Sequence, residues 1–185
     1  MRKRLLIAAT LALTAIALPA FGEGWAIPAA AQPGWSPNTT VALKMGAMVP
    51  DSALGSGLAG GIELAVDDPL FQLPYGKIRD QFSYNRYDHG GIELQTLEFN
   101  PHYMVPVVDN LWAGFGPGVG WMITNSQSGP SPEMWTAQLG ASAYYTAGQL
   151  MLGVESRYQW TSDERVGGAS SVDNWMTTFK IGYAY

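Results

Sequence analysis

The stretch Leu111-Trp112-Ala113-Gly114-Phe115-Gly116-Pro117-Gly118-Val119-Gly120-Trp121-Met122-Ile123-Thr124 decides the fold, because it sorts cleanly by parity. Leu111, Ala113, Phe115, Val119, Trp121 and Ile123 fall on one face of an extended strand, and Trp112, Gly114, Gly116, Gly118, Gly120 and Met122 fall on the other. One face is bulky and oily; the other has almost no side chain. The glycines recur at a strict spacing of two, which does not match G-x-G-x-x-G, and no G-K-[ST] follows, so a nucleotide loop is excluded. A narrow, crowded interior is the better reading of such a face. Pro117 lacks an N–H for a ladder, which predicts a bulge or a rim position there.

The same division runs outward through seven further segments. Val41, Leu43, Met45, Ala47 and Val49 oppose Ala42, Lys44, Gly46 and Met48; Leu58, Ile62, Leu64 and Val66 oppose Ala59, Gly61, Glu63 and Ala65. A third segment, Lys77 to Tyr87, sets Ile78, Phe82 and Tyr84 against Lys77, Arg79, Gln81, Ser83 and Asn85, with Asp80 and Arg86 on the apolar side. The fourth, Gly91 to about Tyr103, begins with Ile92 and Leu94 on one parity and continues with Leu97 and Phe99 on the other, which predicts a one-residue bulge near Thr96. Alternation resumes from Met134 to Thr146, from Leu150 to Trp160 and from Trp175 to Tyr185.

The charges lie on the glycine side: Lys44, Glu63, Arg79, Glu93, Glu155, Arg157 and Lys180. A soluble sandwich would put its charges outside and its large apolar residues inside. Eight strands close around an interior just wide enough for side chains, and an outward apolar band fits lipid. The expected fold is therefore all-β, an eight-stranded antiparallel up-and-down transmembrane barrel. Charges enclosed in such a lumen must pair, which predicts a salt-bridge plug. The alternative is a polar lining that passes ions or small solutes.

Composition agrees with this division. The 185 residues are 47% hydrophobic but only 14% charged, with a mean hydropathy of +0.00. That is the average of an oily face and a polar one. Absence of cysteine excludes a disulfide scaffold, a thiolate metal site, a cysteine nucleophile and a lipid-anchor cysteine. At the N-terminus, Arg2, Lys3 and Arg4 precede the apolar run Leu5 to Leu18, followed by Pro19-Ala20-Phe21-Gly22, the three-part design of a secretory signal peptide. Fourteen residues reach only about 21 Å as a helix, short of a roughly 30 Å hydrocarbon core. The expected organisation is a cleaved signal at 1–22, a Pro/Ala-rich flexible segment at 23–38 and the barrel at 39–185, with a second cut after Ala31 as the alternative. Removing Arg2, Lys3 and Arg4 from the ten basic residues leaves seven against fifteen acidic ones, a net −8 that repels nucleic acid.

With both termini in the periplasm, the connections Asp51 to Gly57, Asp88 to Gly90, Asn125 to Pro132 and Thr161 to Val172 face outward, and most are short and polar. Trp121, Trp135, Trp160 and Trp175 then form one interfacial girdle, and Tyr103, Tyr145, Tyr183 and Tyr185 the other. Gly60-Gly61-Ile62-Glu63-Leu64 recurs as Gly90-Gly91-Ile92-Glu93-Leu94, and the repeat predicts that both glutamates point inward. His89 and His102 are the only histidines. A lipid hydrolase would need Ser83 beside one of them, but Ser83 and His89 lie about 20 Å apart along a strand at 3.3 Å per residue. Neither a catalytic residue, a cofactor nor a metal site is expected.

Together these residues resemble the small eight-stranded outer-membrane barrels of Gram-negative bacteria, similar to outer membrane proteins A, X and W. The last strand, Phe179-Lys180-Ile181-Gly182-Tyr183-Ala184-Tyr185, looks like that family's C-terminal assembly signal, with Tyr185 in place of the commoner Phe. The resemblance implies an integral outer-membrane protein, monomeric, in contact with outer-membrane lipid and lipopolysaccharide, and handled during biogenesis by periplasmic chaperones and the barrel assembly machinery. The roles it implies are structural or surface-interacting, with a minor channel for small or hydrophobic solutes as the alternative.

Overall fold

The computed structural model describes residues 34–52, 54–71, 73–162, 165–167 and 169–185. The expected signal peptide and most of the Pro/Ala-rich segment lie outside these residues. Eight strands follow in chain order: β1 (Thr40–Pro50), β2 (Gly57–Asp67), β3 (Lys77–His89), β4 (Ile92–Val108), β5 (Leu111–Ser126), β6 (Glu133–Ala147), β7 (Leu150–Thr161) and β8 (Asn174–Ala184). Each pairs antiparallel with its neighbours, and β8 closes on β1 to make one barrel. Closure leaves no sheet edge, the condition for strands to cross a bilayer.

Parity is held around the whole circumference. Leu43, Met45, Leu58, Phe115, Trp135 and Phe179 stand outside, each 63–77% exposed. Lys44, Glu63, Arg79, Glu98, Glu155, Arg157 and Lys180 are buried within. An apolar belt exposed on every side is untenable in water and correct in hydrocarbon. Trp121 packs edge-on against Trp135, and Tyr158 contacts both Trp160 and Trp175, all near the loop end; Tyr183 and Tyr185 pair near the terminal end.

Two local expectations are corrected. No bulge occurs near Thr96: β4 runs in unbroken register from Ile92 to Phe99 against β5, and the shift comes at Pro106 to Val108. Ile92 and Leu94 are apolar because they fill the loop-end mouth of the lumen, not because the face changes. Pro117, too, occupies neither bulge nor rim, standing in register opposite Leu139 of β6. On its other side the ladder between β4 and β5 is interrupted from Asn100 to His102, with unchanged register at Phe99↔Val119 and Tyr103↔Phe115. That register puts Pro101 opposite Pro117. The two missing N–H groups thus fall on one seam, and neither proline breaks the ladder to its other neighbour.

The β5 glycines let β4 approach closely. A Cβ on Gly116 would strike the Pro101 carbonyl, and one on Gly118 would strike Asn100 Oδ1. They mark crowding, not an open passage.

Candidate functional site

Three layers fill the lumen. The middle layer is ionic. Lys180 Nζ lies 2.5 Å from Glu63 Oε2 and also pairs with Glu155; Lys44 Nζ sits 3.6 Å from each of those carboxylates. Arg157 Nη1 donates to Glu155 Oε1 at 2.9 Å and lies 2.5 Å from Glu98 Oε2, while its Nη2 donates to Glu98 Oε1 at 2.8 Å. Three cations meet three carboxylates, and the chain of contacts crosses from β2 through β8 and β7 to β4. Lys44 and Lys180 are direct cross-strand neighbours, an arrangement that repels unless carboxylates lie between them, as Glu63 and Glu155 do here. Further donors surround Glu98: Thr96 Oγ1 at 2.6 Å, Asn85 Nδ2 at 3.0 Å and Gln159 Nε2 at 3.3 Å. Multiple hydrogen bonds to each charge are what make burial of an ion pair tolerable.

The second layer closes the terminal end. Asp67 accepts from Arg79 and Lys77, both at 2.8 Å, and from Asn38 Nδ2 at 2.7 Å. Arg79 also donates to the Asn38 carbonyl, so the residues entering the barrel are latched across its mouth. Lys77 stands 4.3 Å over the Trp112 ring and Arg79 4.9 Å over Tyr144, cation–π contacts on the inner wall.

The third layer is apolar and closes the loop end. Met48, Ala59, Tyr87, Ile92, Leu94, Met122, Met134 and Met176 converge there, joined by Val166 and Val172 from the β7–β8 connection. Methionine suits an irregular gap of this kind. The connection is anchored by Asp173, whose Oδ1 accepts from both the N–H and the hydroxyl of Thr161 at 2.7 Å. Tyr158 hydrogen-bonds Asp51 across the rim. Thus the β7–β8 loop, read from its polar sequence as facing outward, tucks two valines into the mouth, a device that this sequence does not advertise.

Of the charges expected in the lumen, Lys44, Glu63, Glu155, Arg157 and Lys180 share the middle layer, and Arg79 lies in the terminal layer. Glu93 is a correction. It faces outward, 3.0 Å from Arg86 Nε, because β4 keeps one parity from Ile92 onward and the even positions point in. Glu98 occupies the inward place instead. Its neighbours Thr96 and Asn100 are polar at a spacing of two, the signal that identifies the inward set once no bulge is assumed.

Ser83 meets no histidine: its hydroxyl contacts Glu63 and Lys44. His102 lies not at a rim but inside the barrel, with Nδ1 2.8 Å from Ser142 Oγ. The cavity beside Ser142 is only ≈ 10 Å³, room for about one water and for no lipid substrate. Among the described residues, no group of three or more His, Asp or Glu side chains is placed to hold a metal.

No protein-family model matches the chain, and no curated protein matches it in sequence. Solved structures match in shape. Neisserial surface protein A superposes with a TM-score of 0.61 at 12% identity, over 80% of this chain and 97% of that one. Ail, the attachment invasion locus protein of Yersinia pestis, gives 0.51 at 12% identity, over 80% and 96%. The closed eight-stranded meander coincides in this chain with that shape. The chain therefore has the fold of the small eight-stranded outer-membrane β-barrels.

Proposed function

We propose that this protein is a closed outer-membrane barrel with a structural or surface-interacting role, a charge-plugged lumen and no catalytic activity of its own. The observation that carries this reading is the stacking of an ionic layer beneath an apolar one. An ion crossing the lumen would have to part six mutually paired charges and then displace a plug of methionines and valines. Function then belongs to the outside surfaces: the loop end, the lipid belt and the lipopolysaccharide around it. We take the protein to act as a monomer, assembled through its last strand, where Phe179, Ile181, Tyr183 and Tyr185 face outward and Gly182 lies against Val41 and Ala42 of β1.

Planar-bilayer conductance of the refolded protein tests this. The parent is expected to show no channel events, and a Glu155→Ala/Arg157→Ala variant none either, because the apolar layer remains. Steady unitary conductance in the parent would instead support the solute channel and overturn the closed-barrel reading.

A further inference from the structure

The three terminal-side connections differ sharply. Those between β4 and β5 and between β6 and β7 are two residues each, whereas β2 and β3 are joined by residues 68–76. This longer connection includes Pro69, Leu70, Phe71, Leu73, Pro74 and Tyr75. Leu70, Phe71 and Tyr75 are 61–64% exposed. Such a turn is a poor fit to water.

It is nonetheless built. Asp68 Oδ1 accepts from the N–H groups of Leu70 and Phe71, both at 2.6 Å, an Asx-type turn that sets its start. The Tyr103 hydroxyl donates to the Tyr75 carbonyl at 3.0 Å and straps its end to β4. The turn leans along the outside of the barrel and leaves the mouth to Asp67 and Arg79. There Phe71 and Leu73 form one wall of a groove of ≈ 390 Å³ whose floor includes Ile78, Tyr103, Phe115 and Pro117. The groove lies over the β4–β5 seam where Pro101 faces Pro117. Beside it Asp80 sits on the outward parity of β3 yet is only 9% exposed, while the Asp68 N–H donates to the Ile78 carbonyl at 2.9 Å and holds the start of the turn against β3. The start of the turn covers a carboxyl that would otherwise face lipid.

We propose that residues 69–71 and 73–75 form a membrane-embedded element and that their groove seats an acyl chain of a phospholipid from the leaflet on the terminal side. The groove is continuous with the apolar belt, so hydrocarbon already reaches its rim. Its walls are almost entirely apolar, which suits a chain and not a headgroup or a peptide backbone with unpaired polar groups. With the termini in the periplasm, that leaflet is the phospholipid one.

The absence of cysteine makes the test clean. Phe71→Cys and, separately, Leu73→Cys are labelled with a thiol-reactive bimane in the full chain, refolded into nanodiscs of phosphatidylethanolamine and phosphatidylglycerol. Heat-dependent gel mobility verifies folding of each. Asp109→Cys, in a two-residue turn, serves as the water-exposed reference. The expected result is strong quenching at both positions by phosphatidylcholine carrying a doxyl group on its acyl chain, and weak quenching by iodide. Iodide quenching equal to that at Asp109→Cys would overturn the proposal. Protection from both quenchers would also overturn it, since it would mean that a second copy of the chain covers the groove.

Discussion

Gly60-Gly61-Ile62-Glu63-Leu64 and Gly90-Gly91-Ile92-Glu93-Leu94 are identical in sequence and opposite in structure. In the first, both glycines lie within β2; Ile62 is 55% exposed to lipid and Glu63 is buried in the ionic layer. In the second, Gly90 and Gly91 form the β3–β4 turn with φ of 61° and 78°, Ile92 is 8% exposed inside the mouth, and Glu93 points out to Arg86. Two consecutive residues at positive φ are what a tight two-residue hairpin of this kind demands. The turn fixes the register, and a one-residue change of phase sends every following side chain to the other face. Local sequence therefore does not carry the inward or outward sense of a side chain; the phase relative to the turn does.

Five substitutions break the two copies apart, from the largest effect to the smallest. Glu63→Gln removes a carboxylate that Lys44 and Lys180 share, and a buried pair broken on one side costs about 3–5 kcal/mol. Urea unfolding in lipid vesicles should show this as a lowered midpoint. Ile92→Ala opens a cavity in the loop-end plug and should cost about 2–4 kcal/mol by the same measurement. Gly91→Ala forces a side chain into left-handed backbone and should cost about 1–2 kcal/mol, while Gly60→Ala, where a Cβ would meet only the Lys44 carbonyl at 3.4 Å, should be tolerated. Glu93→Gln disturbs a pair with the half-exposed Arg86 and should fall within about 0.5 kcal/mol of the parent.

The strands and the lipid belt were legible in the sequence because period-two polarity is imposed locally on every strand, as Leu111 to Thr124 shows. Lys44, Glu155, Arg157 and Lys180 were legible for the same reason. What was not legible arises where an apolar residue faces inward. Ile92 and Leu94 look like lipid-facing residues, and only the roof formed by Val166 and Val172 explains them. Placing the phase on those two residues assigned Glu93 to the lumen and passed over Glu98. Likewise, Pro117 looked anomalous alone and becomes orderly beside Pro101, a partner from another strand that no local pattern reveals.

Arg157 and Glu98 stand 59 positions apart, on β7 and β4, and join across the lumen. If the inward charges brace the barrel across its width, a double-mutant cycle on this pair measures that brace. Unfolding free energies of the parent, Glu98→Gln, Arg157→Met and the double variant in lipid vesicles are predicted to give a coupling of about 2 kcal/mol. Additivity within about 0.5 kcal/mol would contradict a cross-braced lumen.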